Sequence, residues 1–254
     1  MKHLIIGSGT VGVATGFYLE SIGEEVIFND KDKTKLKKLS GHNTSSDINV
    51  DCDIFWVCTH EKDVAGIISL LSKKKRSIVV IRSTTPIGTI DALIKKYDLE
   101  FVAHNPEFLR EKTAIHDVFN PDRIVIGTHS EYVSNKLLDV YSSLPAFKYV
   151  CTPLESEIIK YTANCWLATQ ISFWNEMKLL YDTYKINGQG VVNTVCLDRR
   201  ISKYGSNLLG VGYSGMCLPK DMRNMIKAFK DKKLDPILLS AVEERNKCLQ
   251  QKKD

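Results

Sequence analysis

The stretch HLIIGSGTVG, residues 3–12, decides the fold. It begins as an apolar run typical of a strand and passes into GSGTVG, which opens a helical stretch at 11–22. Gly7 permits the turn, Gly9 lets the backbone approach a diphosphate, and Gly12 allows tight helix–strand packing. A diphosphate there would meet the unpaired N–H groups of the helix N-terminus. The pattern predicts a dinucleotide-binding turn, and an α/β turn without ligand is the alternative.

An acidic residue, Asp30, follows the next apolar run, EVIFN at 25–29. A carboxylate at the end of this second strand accepts hydrogen bonds from the ribose hydroxyls of a dinucleotide. The same carboxylate disfavours the additional phosphate of NADP. We therefore expect the cofactor to be NAD.

Short apolar runs alternate with amphipathic stretches through the first half of the chain. Continuous apolar strands between helices are typical of a parallel sheet covered on both faces. We predict an α/β fold whose Rossmann-type parallel sheet carries helices on both faces and forms an NAD-binding domain over residues 1–150. The predicted strands are 3–7, 25–29, 53–58, 77–82, 100–104, 123–127 and 148–151.

The pattern changes at Thr152, where TPLE forms a capping box with Pro153 at the first helical position and Glu155 three residues after the cap. The segment from there to about Tyr184 contains neither glycine nor proline. It is apolar on most faces, so we expect it to be buried against its own sheet, a partner subunit or both.

The remainder of the chain, 151–254, predicts an all-α central domain with this one long helix. A loop region rich in Gly, Ser and Asn follows the long helix. Two further helices are predicted, from Pro219 to about Asp231 and from Pro236 to the end.

Composition narrows the classes of function. The 254 residues carry a net charge of +5, and the basic runs at 31–38 and 73–76 contain no interleaved aromatic residues, so we expect solvated faces and no nucleic-acid partner. Seven cysteines without a CxxC pair predict reduced thiols, no metal and a cytoplasmic location. No run approaches 18 apolar residues, so no membrane contact is expected.

Cys217 lies in GMCLPKDMRN, residues 215–224. Pro219 in the first turn of a helix would place this cysteine just before the helix N-terminus, with Lys220 beside it. Both the helix dipole and the cation lower the pKa of a thiol and raise its thiolate fraction. The alternative is a small buried hydrophobic residue.

Three further groups can carry chemistry. Glu107 and Glu111 would share one face if their segment is helical, which suits base catalysis, or they are two exposed acids. Lys160 and Asn164 share a face of the long helix, where the lysine is either functional or reaches the surface. The segment RSTTPIGT is a plain turn, or it presents to a ligand the hydroxyls of Ser83, Thr84 and Thr85.

Six segments together resemble the UDP-glucose/GDP-mannose dehydrogenase family. They are GSGTVG, STTPIGT, NPEFLRE, ESEIIKYTANCWLATQISFWNE, DRRIS and CLPKD, they occur in the family order, and they extend over almost the whole chain. The resemblance implies NAD-dependent four-electron oxidation of the 6-hydroxyl of a nucleotide sugar, with UDP-glucose oxidised to UDP-glucuronate for polysaccharide biosynthesis as the favoured reaction.

The resemblance also implies a role for each matching residue. The sugar would pass through thiohemiacetal and thioester adducts of Cys217. The other catalytic assignments are Lys160 for the oxyanion, Asn164 as its assistant, Asp221 and Thr84 for the water, and Glu107 as the base for thioester hydrolysis. The cofactor-binding assignments are Gly7, Gly9, Thr10, Val11, Gly12, Asp30, Lys35, Thr59, Ser83, Thr84, Glu111 and Lys220. The substrate-binding assignments are Phe108, Leu109, Arg110, Lys160, Asn164, Arg200 and Gly215.

A homodimer built on the 153–184 helix is implied as well, because the residue matching Arg200 reaches into the partner's substrate site in the family. Two segments depart from the family pattern: Lys112 replaces a usual glycine, and VCTH at 57–60 replaces a sequence closer to VPTP. Family enzymes continue into a third, nucleotide-binding domain, which we expect this chain to lack.

Several alternatives stay open. The chain is either a minimal dehydrogenase or an NAD-binding protein without turnover. In the first case, a dimer partner or a separate chain supplies the part of the substrate site that the third domain forms in the family. The substrate is UDP-glucose, a UDP-N-acetylhexosamine or GDP-mannose. A hydroxyacid dehydrogenase of related fold would explain Lys160 and Asn164 but not Cys217. Retention of the catalytic set favours an enzyme, because a binding module needs none of it.

Overall fold

The computed structural model describes residues 1–251, and the last three positions of the helix expected from Pro236 to the end lie outside them. The chain forms two compact units, Met1–Lys160 and a second that begins at Tyr161. The predicted boundary between residues 150 and 151 stays a prediction.

The first unit is built on an eight-stranded sheet. Its strands are β1 (Lys2–Ile6), β2 (Glu25–Asn29), β3 (Thr44–Ser45), β4 (Ile54–Val57), β5 (Ile78–Ile81), β6 (Val102–His104), β7 (Arg123–Gly127) and β8 (Phe147–Cys151). They lie in the order β3-β2-β1-β4-β5-β6-β7-β8. The strand order reverses between β1 and β4, and ligands of open α/β sheets bind beyond the carboxyl ends of the strands at such a reversal.

The helices of this unit lie between the strands. They are α1 (Thr10–Ser21), α2 (Lys33–Lys37), α3 (Glu61–Leu71), α4 (Thr89–Tyr97), α5 (Ala114–Phe119), α6 (Glu131–Val140) and the start of α7 (Pro153–Thr183), with a 3₁₀ turn at Glu111–Thr113. Each of the seven predicted strands has a counterpart. The two-residue β3 was missed because it carries no apolar pattern.

Both faces of the sheet are buried, as the continuous apolar strands predicted. On β1, Ile5 joins one apolar cluster while Leu4 and Ile6 join the other. Trp56 and Phe55 divide in the same way on β4. Successive side chains of a strand point to opposite faces, so an uninterrupted apolar run requires cover on both sides. The Rossmann-type fold is confirmed.

The sheet is not parallel throughout, which corrects one detail of the prediction. β7 pairs with β6 in the antiparallel sense, whereas all the other neighbouring pairs in the described part of the chain are parallel. A parallel connection needs a crossover segment, usually a long helix. Only the 3₁₀ turn and the six-residue α5 connect β6 to β7, and α5 packs against α1.

Helix α7 begins with the predicted capping box. The Glu155 carboxylate accepts hydrogen bonds from the backbone N–H and the hydroxyl of Thr152, and the Thr152 hydroxyl accepts one from the N–H of Glu155. Of the apolar residues expected to be buried on this helix, Ile171 and Trp174 are buried. Four others are exposed within this chain: Ile158, Trp166, Phe173 and Leu180.

The second unit contains the rest of α7 with α8 (Gly188–Val195), α9 (Leu218–Asp231) and α10 (Ile237–Gln250). α8 lies in the region that was expected to be a loop. The prediction missed this helix because its sequence contains two glycines, and the Asn187 side chain caps it. Within residues 1–251, no helix is both long and apolar enough to cross a membrane.

Candidate active site

The glycine turn between β1 and α1 is shaped by contacts that exclude side chains. Gly7 has φ of +99°, and a Cβ there would lie 2.5 Å from the carbonyl oxygen of Cys58. A Cβ on Gly12 would lie 1.9 Å from the carbonyl oxygen of Gly7. A Cβ on Gly9 would meet no atom within 4 Å, so this backbone is open on the side where a diphosphate would approach.

Asp30 lies directly after β2 and is buried. Its carboxylate accepts hydrogen bonds from the N–H groups of Ser8 and Asp32, both at 2.9 Å, and the Lys35 ammonium lies 3.2 Å from Oδ2. Burial opposes ionisation, but these three contacts outweigh it and hold the pKa of Asp30 below its usual range. A fixed carboxylate therefore stands beside the glycine turn.

A cleft of about 740 Å³ opens over this turn. It is lined by Gly9 and Thr10, by Lys35 and Lys38, and by residues 111–116. The cleft joins a helix N-terminus, open backbone and three cationic side chains, since Lys112 belongs to the 111–116 segment. These groups fit an anionic dinucleotide. Glu111, assigned to the cofactor from the sequence, lies in the same segment.

We expect Lys112→Ala to weaken NAD binding about three- to five-fold at low salt, because an exposed ammonium beside a diphosphate contributes a fraction of a kcal/mol to about 1 kcal/mol. The difference from wild type should shrink as salt screens the charge. Lys62→Ala, which alters an exposed lysine on α3 outside the cleft lining, is the matched control. Fluorescence titration measures both. Equal affinities of the Lys112→Ala and wild-type proteins at low salt would contradict the expectation.

Thr59 and Ser83 meet just beyond β4 and β5. The Ser83 hydroxyl donates to the carbonyl oxygen of Thr59 at 2.7 Å and accepts from its N–H at 3.0 Å. The Thr59 hydroxyl is buried and has no hydrogen-bond partner among the residues that the structure describes. A buried hydroxyl without a partner at this edge of the sheet fits a polar ligand group.

Lys160, on the second turn of α7, is buried and contacts Glu107. Its ammonium donates to the Glu107 carbonyl oxygen at 2.6 Å and to Oε1 at 3.2 Å, and it lies 5.2 Å from the centre of the Phe108 ring. The structure thus brings together two residues that were assigned to catalysis from separate segments.

Glu107 and Glu111 do not share a helical face, which corrects the sequence interpretation. The segment 105–110 has no helix, and Glu111 begins the 3₁₀ turn. The Glu107 carboxylate accepts a hydrogen bond from the N–H of Leu109, two residues later, at 2.7 Å. A local side-chain bond of this kind competes with helix formation. One acid therefore contacts Lys160 and the other lines the cofactor cleft.

A residue that the sequence analysis missed, Glu157, lies one turn before Lys160 and is 1% exposed. Its carboxylate accepts hydrogen bonds from the Thr85 hydroxyl at 3.0 Å and from the N–H groups of Gly88 at 2.6 Å and Ile90 at 3.1 Å. Three donors from one loop converge on this buried acid. An acid within the buried face of a long helix was the signal that could have identified it.

Burial raises the pKa of Glu157 to about 7, although its three hydrogen bonds oppose this rise. A raised pKa in the folded state gives stability that is complete below the ordinary value of 4.5 and is lost as pH rises through about 7. Between about pH 5 and pH 8, wild type should therefore lose up to about 3 kcal/mol of unfolding free energy relative to Glu157→Gln, which cannot ionise. Urea denaturation at a series of pH values measures this change, and parallel pH curves would contradict it.

The second unit brings into contact two residues that were assigned to catalysis separately. Asp221, on the first turn of α9, is 1% exposed, and the Asn164 amide donates to its Oδ2 at 2.6 Å. The Lys220 ammonium lies 3.1 Å from Oδ1, but not in hydrogen-bonding geometry, and within residues 1–251 this oxygen has no hydrogen-bond donor. A buried carboxylate oxygen in this condition can hold a water molecule.

Cys217 is the N-cap residue of α9, and its side chain is exposed. Pro219 is the second residue of the helix, as expected, and the N–H of Asp221 donates to the Cys217 carbonyl oxygen at 2.9 Å. Gly215, with φ of +79°, precedes it in the turn. The thiol therefore stands at the positive end of a 14-residue helix.

The residues assigned to substrate binding are placed in different surroundings. The Phe108 ring lies under the Arg123 guanidinium, 3.9 Å from its centre, and Leu109 packs against the core. Arg110 pairs with Asp117, and this contact holds the pKa of Asp117 far below its usual range. Arg200 is exposed and pairs with Asp198.

The glycine turn, Asp30 and the reversal of strand order together define a dinucleotide-binding Rossmann-type domain. Family models identify it further. The NAD binding domain of the UDP-glucose/GDP-mannose dehydrogenase family matches residues 43–145, and the central domain of the same family matches residues 154–248. The chain belongs to the UDP-glucose/GDP-mannose dehydrogenase family, and NAD is confirmed as its cofactor.

Individual relatives support the same family assignment. The UDP-glucose 6-dehydrogenase of Rickettsia conorii is 33% identical, and the match covers 97% of this chain and 67% of that protein. A UDP-glucose dehydrogenase structure from Pyrobaculum islandicum has a TM-score of 0.89 at 28% identity, covering 97% and 68% of the two chains. A GDP-mannose dehydrogenase structure from Pseudomonas aeruginosa has a TM-score of 0.72 at 26% identity, covering 99% and 70%. This chain spans about two thirds of each.

Proposed function

We propose that this chain catalyses NAD-dependent four-electron oxidation of the 6-hydroxyl of a nucleotide sugar to a carboxylate. The observation that carries the proposal is that four residues assigned individually from the sequence form two direct contacts: Lys160 with Glu107, and Asp221 with Asn164. Neither pair is needed to hold a dinucleotide. Buried charges are usually retained where they are paired or functional.

NAD, when bound, accepts a hydride from the sugar in each of the two oxidations. The residues assigned to hold it are Gly7, Gly9, Thr10, Val11, Gly12, Asp30, Lys35, Thr59, Ser83, Thr84, Glu111 and Lys220. Asp30 would accept hydrogen bonds from a ribose, and the N-terminus of α1 would meet the diphosphate.

The chemistry on the sugar belongs to the chain itself. In the first oxidation C6 loses a hydride, and its hydroxyl loses a proton to the water molecule held by Asp221 and Thr84, which gives an aldehyde. The Cys217 thiolate then adds to C6, and the resulting oxyanion is stabilised by Lys160 with help from Asn164. Loss of a second hydride from this adduct leaves a thioester. A water molecule held by Asp221 and Thr84, and deprotonated by Glu107, hydrolyses the thioester and returns the thiol.

UDP-glucose is the favoured substrate. Two observations support it: the DRRISKYGSN segment resembles the UDP-glucose members of the family, and the Rickettsia relative is named a UDP-glucose 6-dehydrogenase. GDP-mannose is the alternative that the Pseudomonas structure supports, at 26% identity. A UDP-N-acetylhexosamine is the third. Phe108, Leu109, Arg110, Arg200 and Gly215 are proposed to contact the sugar nucleotide.

A homodimer through α7 is part of the proposal, with Arg200 reaching the partner's sugar. Trp166 is 60% exposed and Phe173 is 54% exposed on a helix whose other face is packed, which supports a second copy as their cover. Sedimentation of Trp166→Glu against wild type tests it. Equal masses for the two proteins would contradict the dimer.

The decisive experiment adds NAD to the purified chain with each of the three classes of sugar nucleotide and follows NADH absorbance. Formation of about two NADH for each sugar consumed is expected with one of them. Tight NAD binding without NADH from any sugar would instead favour the second candidate, an NAD-binding protein without turnover.

A further inference from the structure

The loop 83–90, which comprises the connection after β5 and the first two residues of α4, is held from both ends. Ser83 exchanges two hydrogen bonds with Thr59, and Glu157 accepts three from Thr85, Gly88 and Ile90. Glu157, one turn before Lys160 on α7, therefore receives three donors from the second half of this loop.

Thr84 stands between the two anchors. The hydroxyls of Ser83 and Thr85 are engaged by Thr59 and Glu157, whereas the Thr84 hydroxyl makes no hydrogen bond to any of residues 1–251. The two anchored neighbours fix the backbone of Thr84 and with it the direction of its Cα–Cβ bond. The hydroxyls of Ser83 and Thr85 therefore anchor the loop, whereas the Thr84 hydroxyl is available to a ligand.

Helix α7 fixes a second segment in the same way. The neighbouring Ser156 lies 2.7 Å from Nδ1 of His104 at the end of β6, and Lys160 bonds to Glu107 shortly after it. Ser156, Glu157 and Lys160 therefore tie two loops at the carboxyl edge of the sheet to one rigid helix. Rigid elements position reacting groups more precisely than loops do.

We propose that Glu157 is a positioning residue, whose carboxylate holds the loop 83–90 so that the Thr84 hydroxyl is directed at the water used in the reaction. The inference rests on the proposed function, since it assigns the anchor of a residue in that site. Glu157 itself touches neither substrate nor cofactor in this account.

The hydrogen bonds to Glu157 match its ionised form, although burial favours the neutral form. All three groups bonded to it are donors, and a protonated carboxyl would turn one acceptor into a fourth donor. The charged group that acts on Glu157 is Asp91 on α4, which raises its pKa. His104 on β6, whose pKa burial lowers to about 3, contacts the neighbouring Ser156, and Lys160 lies one turn later on α7. The anchor should therefore weaken as pH falls through neutrality.

The test compares wild type with Glu157→Gln, which keeps the shape but loses one acceptor. Glu155→Gln is the matched control, since Glu155 caps the same helix start but makes no hydrogen bond to the loop. Thr85→Val removes one donor from the other side. Each full-length variant is measured for thermal unfolding, NAD affinity, the single-turnover rate of first NADH formation between about pH 6 and pH 8, and amide hydrogen exchange at Gly88 and Ile90.

Glu157→Gln is expected to slow the single turnover about 10- to 100-fold, since small displacements of a positioned group cost this much, while NAD affinity stays within about three-fold. The rate should also lose a pH step near neutrality that the wild type and Glu155→Gln show. Thr85→Val should give a smaller decrease of the same kind. Unchanged rate and pH profile in Glu157→Gln would overturn the inference.

Hydrogen exchange separates this inference from the proposed function. If the wild type forms no NADH with any sugar nucleotide, the proposed function fails, and exchange alone decides the anchor. Faster exchange at Gly88 and Ile90 in Glu157→Gln, but not in Glu155→Gln, supports the anchor. Equal exchange in the two variants overturns it.

Discussion

Cys217→Ser is expected to lower the rate of sugar-acid formation by at least about 10³-fold, because a serine hydroxyl at neutral pH is a far weaker nucleophile than a thiolate. The thiol lies at the N-terminus of α9. A helix N-terminus is a position that generally lowers the pKa of a cysteine, whereas a serine hydroxyl does not ionise there. The chemistry should stall at the aldehyde stage, with no more than about one NADH formed for each sugar.

The measurement is NADH stoichiometry with the preferred sugar nucleotide, together with mass spectrometry of the protein during turnover. Wild type should show a covalent adduct that disappears in Cys217→Ser. Cys248→Ser is the control, since Cys248 is another exposed cysteine of the same unit, on α10. Full acid formation by Cys217→Ser would exclude this residue as the nucleophile.

Lys160→Met should have the second large effect. The buried ammonium is the cation assigned to the developing oxyanion, and removing one preorganised donor from such a site costs about 10²- to 10³-fold in kcat. NAD affinity should change little. Lys178→Met, which removes a lysine on the same helix that pairs with Asp182 near the surface, should retain activity.

Loss of stability is a separate consequence of Lys160→Met, because Glu107 keeps a partly buried charge without its partner. The double variant Lys160→Met with Glu107→Gln removes both charges and should recover stability without recovering turnover. Urea denaturation and single-turnover kinetics of the three proteins distinguish the two effects. Wild-type turnover in Lys160→Met would remove this lysine from the mechanism.

The sequence predicted those parts of the fold that depend on local pattern. Apolar runs located seven strands, TPLE located the start of α7, and Pro219 located α9, because periodicity and capping act over a few residues. The antiparallel entry of β7 was not predictable, since it depends on how a connection packs against α1. α8 was missed because glycines are unfavourable within helices, and an asparagine cap stabilises this one.

The candidate site divides in the same way. Gly7, Asp30 and Cys217 are recognisable because their neighbours in the sequence determine their surroundings. Glu157 is different, since its three partners lie about 70 residues away in the chain. The family resemblance assigned Lys160 and Glu107 to catalysis separately, and their contact was seen only in the fold.

The ion pair at the end of β2 has a consequence for how cofactor choice can be redesigned. We expect Asp30 to disfavour the extra phosphate of NADP by charge, yet Lys35 already lies 3.2 Å from its carboxylate and Lys38 borders the same cleft. Cations of the kind that an NADP enzyme uses beside the ribose are thus already present, and one of them is paired with the acid. A change of cofactor preference would therefore begin with the removal of this one carboxylate rather than with the introduction of a basic loop.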